Sequence, residues 1–257
     1  MGAFAFTDPL GIAVALLAAA IIGLAKGGLS GLGMLAVPVL ALVMSPVQAA
    51  AIVLPVLIAS DIVSVVTWWK AWDLRTFGLM MPGAVAGIAL GWATASYVSD
   101  DMVRLIVGLI SLWFVLRWLM QSKAARAART GQHAGKASFW GAVMGYTSFV
   151  SHSGGPPFQI YALPLGLDPK TYTGTNVLTF TTVNLVKLVP YYFLGQLAAG
   201  NLISSAALMP VSIAFTFIGA IIIRRMKAEV FYPLTYAMVG LVGVKLVWDG
   251  LSGTLLS

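Results

Sequence analysis

Two short stretches of this 257-residue chain concentrate the residues that could do chemistry. One is Gly27-Gly28-Leu29-Ser30-Gly31-Leu32-Gly33, with Lys26 just before it. The other is Ser151-His152-Ser153-Gly154-Gly155-Pro156-Pro157. Both mix serine hydroxyls with residues that interrupt helices, and both precede an apolar run. A helix that starts after such a break has N–H groups with no intrahelical partner. These carry partial positive charge and favour an anion. Glycine lets backbone approach a ligand closely, and proline suits the first helical turn. Ser30, Gly31, Gly33, Ser153, Gly154 and Gly155 are therefore candidate anion contacts, with Gln159 just beyond as a further amide. The plainer alternative is that these glycines only pack helices.

A second set of polar residues lies on apolar runs. Asn176, Thr179, Asn184 and Lys187 fall within about 140° of arc on one helix. Such a face points into a bundle or a cavity, where amides and hydroxyls meet a ligand or join helices. Asp61, Lys26, Lys187 and His152 are ionisable groups at depth, a class that is usually functional. Lys26 and Asp61 could simply pair, and Lys187 could snorkel to the surface. His152 and Asp61 are the candidates for carrying a proton.

Rival chemistries are weaker. Gly28-Leu29-Ser30-Gly31 matches the G-x-S-G of intramembrane serine proteases, and His152-Ser153-Gly154-Gly155 supplies H-x-x-G. A serine beside a base is nucleophile logic. Ser30 has a counterpart in Ser153, however, which suits a symmetric clamp better than a single nucleophile. Two histidines, no cysteine and no H-E-x-x-H leave no metal cluster. No phosphate-binding or dinucleotide fingerprint is present, so no cofactor is expected.

The elements that must position these residues follow from composition. Hydrophobic residues make up 60% of the chain and charged ones 9%, against roughly 25% charged in a soluble domain. That pattern predicts an all-α polytopic membrane protein. The net charge of +7 reads as cytoplasmic loops rather than as a nucleic-acid surface. No basic region precedes the first apolar run, so a signal peptide is not expected.

Apolar segments run about 9–25, 32–44, 47–69, 76–97 and 102–120, then 138–150, 157–166, 171–194, 202–223 and 230–250. At a spacing of 123 residues Asp61 falls on Asn184, Ser30 on Ser153, Gly31 on Gly154 and Trp68-Trp69 on Tyr191-Tyr192. Residues 1–120 and 137–257 thus read as two repeats, joined by a basic loop over 121–136. Segments 32–44, 138–150 and 157–166 look too short to span a bilayer. Each half then starts with a broken or re-entrant pair and continues with three spans, for eight to ten membrane segments. Lys and Arg place 70–75, 121–136 and 224–229 inside, leaving 98–101 and 195–201 outside. Matching loops fall on opposite faces, so the repeats are inverted and both termini lie outside. Trp68, Trp69, Trp72, Trp113, Trp118 and Trp248 read as belt anchors, and Lys245 as an interface anchor. Inverted repeats with discontinuous helices are a secondary-transporter architecture with a midplane site.

Gly23–Gly33 (G-L-A-K-G-G-L-S-G-L-G), the basic loop, Ser151–Pro157 and the T-G-T-N of Thr173–Asn176 together look like the TauE/SafE sulfite exporter family of membrane permeases. The likeness covers essentially the whole chain. It implies inner-membrane transport, in the export direction, of small sulfur anions such as sulfite or organosulfonates, driven by an ion gradient. Its motif serines and glycines correspond to Ser30, Gly31, Ser153, Gly154 and Gly155. The partners expected are a small anion and the lipid bilayer. Alternatives are a channel, a carrier for another anion, or a membrane-embedded partner subunit.

Overall fold

The computed structural model describes residues 5–6, 8–29, 32–94, 97–122, 129–194 and 199–256. Every regular element among them is helical. α1 (Pro9–Gly27) is capped by Asp8, whose carboxylate accepts the Gly11 N–H at 2.8 Å. It ends at Gly28 with φ 127°, a conformation open to glycine. A 3₁₀ turn (Leu32–Leu35) and α2 (Ala36–Leu40) follow. α3 (Pro46–Thr67) is capped by Ser45. α4 (Leu74–Thr94) and α5 (Asp100–Met120) complete the first half.

In the second half the short helix comes before its 3₁₀ turn instead of after it. α6 (Ala134–Ser151) runs to the glycine break. α7 (Gly155–Ala162) and a 3₁₀ turn (Leu163–Leu165) lead to Asp168, which caps α8 (Pro169–Phe193) by accepting from Lys170 N–H and Thr171 N–H. α9 (Ala199–Arg225) and α10 (Ala228–Leu256) end the chain.

Six helices are long and apolar enough to cross a membrane: α1, α3, α4, α5, α9 and α10. The chain is a multi-pass helical membrane protein. α6 and α8, with 18 and 25 residues, are long but more polar. α6 is longer than the apolar segment read over 138–150 but is not among the six candidate spans. Its first turn, which holds Gly135 and Lys136, is not apolar yet is helical, and 18 residues reach about 27 Å at 1.5 Å each.

Two compact units emerge, and each takes helices from both halves of the chain. Unit 1 comprises Met1–Lys70 and Phe180–Met226. There α1 packs on α9 and α3. Gly23 and Gly27 allow it: a Cβ at Gly23 would overlap Ser212 O, and one at Gly27 would sit 2.5 Å from Thr216 O. Small residues at this spacing are how membrane helices approach closely. Ile22, Leu40, Ile52 and Val56 fill the core. Ser60 and Ser212 share a buried hydrogen bond of 2.7 Å, and Ser205 donates to Ile52 O at 2.8 Å.

Trp68 departs from its expected place as a belt anchor. It is buried, with the Arg224 guanidinium 5.4 Å from its ring centroid. Arg224 also donates to Thr67 O. Arg224 thus satisfies a helix-end carbonyl and covers the ring, while the buried indole Nε1 has no hydrogen-bond partner.

Unit 2 comprises Ala71–Thr179 and Lys227–Ser257. Its main contacts are α4 on α6 and α5 on α10. Gly83 and Gly87 of α4 face the carbonyls of Ser138 and Ala142, while Gly141 and Gly145 of α6 face those of Met80 and Ala84. A Cβ at any of the four would overlap its carbonyl. In both units the first helix of one half lies on the next-to-last helix of the other. Trp118 stacks on Tyr236 at 4.3 Å, and Lys245 pairs with Asp249 at 2.6 Å.

Candidate functional site

Unit 1 gathers four of the expected polar residues. Asp61 sits in the C-terminal third of α3, 1% exposed. Lys26 lies in the last turn of α1, where a cation suits the helix dipole. Its Nζ is 2.6 Å from Asp61 Oδ1. Asn184 Nδ2 donates to Asp61 Oδ2 at 2.7 Å. Ser64 Oγ holds the arrangement, placed to donate to Lys26 O at 2.9 Å and to Ser60 O at 2.8 Å. The end of α1 is thereby tied to α3, and Lys26 is aimed at the carboxylate.

Lys187 lies one turn beyond Asn184 on α8. It does not snorkel: it is 1% exposed, with Nζ 5.7 Å from the Tyr191 ring centroid. The charges of Lys26 and Asp61 both act on it. Two lysine amines and one carboxylate therefore share this part of unit 1. Removing one partner from a buried ion pair costs about 3–5 kcal/mol, because the other charge stays buried. Ser30 and Gly31 lie outside the described residues, and with them the nucleophile reading of Ser30. Gly33 stands in the 3₁₀ turn, where a Cβ would come 3.3 Å from Ala25 Cβ, a packing position.

Unit 2 holds the second break. α6 ends at His152, a left-handed residue with φ 53°. Ser153 N–H turns back to Thr147 O at 3.0 Å, and Thr147 Oγ1 is placed to donate to Ser153 O at 3.2 Å. The Ser153 hydroxyl donates to Ser151 O at 3.0 Å. It would have to leave that carbonyl to donate to an anion. α7 then opens with Gly155, Pro156 and Pro157. The two prolines have no N–H, and Phe158 N–H turns to Gly154 O. The N–H groups left to this helix start are those of Gly154 and Gly155.

Further along, Gln159 is 1% exposed, and neither atom of its amide has a hydrogen-bond partner. The buried Thr179 hydroxyl is also unpartnered. An orphaned buried polar group costs roughly 1–3 kcal/mol, so both are poised for a partner. Asn176 is half-buried one turn before Thr179. The hydroxyls of Tyr172 and Thr173 share the same condition and were not singled out in the sequence. Thr173 belongs to T-G-T-N, whose other members are structural: a Cβ at Gly174 would overlap Ala71 O, and Thr175 Oγ1 accepts Asp73 N–H at 2.8 Å.

Sequence reasoning also passed over Ser60, Ser64 and Ser212, hydroxyls that fasten the surroundings of Asp61. The signal for Ser60 and Ser64 is a polar residue beside Asp61 or one turn from it in an otherwise apolar run; Ser212, on α9, carries no such signal.

Among the described residues no group of His, Cys, Asp and Glu is placed to hold a metal. Comparison with curated proteins and with solved structures finds no match. A family model described as "Sulfite exporter TauE/SafE" matches residues 15–246, a span that holds the Lys26, Asp61, Asn184 and Lys187 cluster and the break at 151–157. The chain belongs to the TauE/SafE sulfite exporter family.

Proposed function

We propose that this protein is an inner-membrane secondary transporter that exports small sulfur oxyanions, sulfite or an organosulfonate, by alternating access coupled to an ion gradient. The observation that carries the reading is buried Asp61 held by Lys26 and Asn184, with buried Lys187 one turn beyond Asn184, within a chain of this family. Two ammonium groups and an amide N–H are what a small oxyanion needs, and burial strengthens each contact. In unit 2, Gly154, Gly155, Gln159 and Thr179 supply uncharged donors, and His152 is the second proton-carrier candidate. The repeated order of helices supports an inverted duplication with both termini outside.

The test is a thermal-shift panel on purified protein with sulfite, methanesulfonate, sulfate, phosphate and chloride. A ligand at 100 times its Kd stabilises the folded state by about 2.7 kcal/mol. Sulfite or methanesulfonate should raise the transition temperature more than the other anions. Equal shifts for all five, or none, would contradict the substrate class.

A further inference from the structure

Both oxygens of Asp61 face groups of a particular kind, Oδ1 in an ion pair outside hydrogen-bond geometry and Oδ2 in a hydrogen bond. Oδ1 takes the Lys26 ammonium at 2.6 Å and Oδ2 takes the Asn184 N–H at 2.7 Å. An ammonium and an amide donor would serve an incoming oxyanion equally well. Asp61 thus sits as a tethered anion in the seat that the proposed substrate needs.

We infer that Asp61 is the resident counter-ion of a proton-coupled anion site: a small oxyanion displaces it from Lys26 and Asn184, and the released carboxylate takes up one proton. This deepens the proposed function and rests on it. The physical reason lies in burial. Asp61 is 1% exposed. A buried carboxylate that loses its counter-charge is neutralised rather than left ionised.

The charged groups around Asp61 come from two elements. α1 brings Lys26, and α8 brings Lys187 beside Asn184. α2 has no titratable residue. From α9 the described polar groups on this stretch of α1 and α3 are the hydroxyls of Ser212 and Thr216. Arg224, also of α9, lies at the far end of α3 against Thr67 O and Trp68.

The charges balance. Before exchange Asp61 carries one negative charge opposite the lysines. Afterwards the anion carries it, and Asp61 is a neutral acid whose proton has come from water on the open side. For a monoanion the cluster keeps its net charge, so anion binding and proton uptake are coupled. Anion affinity therefore rises as pH falls.

The experiment is calorimetric titration of the purified full-length protein with methanesulfonate and with sulfite, in two buffers of different ionisation heat. Methanesulfonate itself holds no proton. The wild type should take up about one proton per anion bound. Asp61→Asn, which resembles the protonated acid, should bind about tenfold tighter, take up none and lose the pH dependence. Binding of either anion by the wild type without proton uptake overturns the inference while leaving the transporter reading intact. Uptake that persists undiminished in Asp61→Asn overturns it as well. Binding of neither anion by folded wild type overturns both. Should Asp61→Asn fail to fold, the wild-type proton count decides alone.

Discussion

Asn184 Nδ2 donates to Asp61 Oδ2 at 2.7 Å, and the two residues stand 123 positions apart, the spacing of the proposed repeat. A residue meets its own counterpart only beside a twofold axis. In the duplicated arrangement proposed above, this hydrogen bond marks where that axis passes through unit 1. One half contributes a carboxylate and the other an amide. The mismatch is chemically useful, since two carboxylates would repel and two amides would leave Lys26 without its counter-charge.

The pairing predicts a non-additive exchange. Asn184→Asp sets a second carboxylate against Asp61, and Asp61→Asn takes the carboxylate from Lys26. Each single variant should lose about 3–5 kcal/mol of stability. The double exchange should recover at least about 1 kcal/mol of the summed loss. Chemical or thermal unfolding of all four proteins, read as a double-mutant cycle, checks this; strict additivity would show that the two side chains do not interact.

The glycines between α4 and α6 predict a sharp positional contrast. A Cβ at Gly87 would overlap Ala142 O, whereas a Cβ at Gly78 of the same helix meets nothing within 4 Å. Gly87→Ala should cost about 1–3 kcal/mol through overpacking. Gly78→Ala should be neutral or gain up to about 1 kcal/mol, because alanine restricts the unfolded chain. Thermal unfolding of the two variants side by side is the measurement.

His152 predicts a separation of stability from function. Its left-handed backbone, φ 53°, costs of order 1 kcal/mol in a side-chain-bearing residue. His152→Gly should therefore fold with equal or greater stability. If the imidazole carries a proton, the same variant should lose the pH dependence of transport; a flux profile unchanged from wild type would assign His152 to the turn alone.

Asp168 predicts an acid-side effect. Burial pushes its carboxyl up, but hydrogen bonds from the Thr171 hydroxyl and from the N–H groups of Thr171 and Lys170 outweigh burial and hold it below the usual carboxylate range. A lowered value means that the stabilisation is present above the ordinary Asp value near about 3.9 and is lost as pH falls through the folded one. Asp168→Ala should cost about 1 kcal/mol at neutral pH as a lost helix cap. The difference from wild type should shrink below about pH 4, which unfolding curves across pH would reveal.

Much of this was legible in the sequence. Ser45-Pro46 and Asp168-Pro169 marked helix starts because a side-chain acceptor followed by proline is the local chemistry of an N-terminus. The Lys26 and Asp61 pair could be suspected because buried charges need partners. The burial of Trp68 and Lys187 could not. An aromatic near a span end, or a lysine on a polar stripe, has the same sequence signature whether it faces lipid headgroups or a neighbouring helix. The answer came from Arg224 and Tyr191, whose proximity is tertiary. Gly154 and Gly155 were visible as a helix start, but the hydroxyl of Ser153 turning to Ser151 O depends on backbone path rather than on composition.

The central claim is that the buried lysines serve a sulfur anion. Sulfite efflux from proteoliposomes, comparing wild type with Lys187→Met, tests it most directly. Methionine keeps the apolar stem and removes the charge. The account predicts folded protein with efflux reduced about 10- to 100-fold, the loss expected for one charge-assisted contact. Wild-type efflux in a folded, correctly inserted Lys187→Met protein would contradict it.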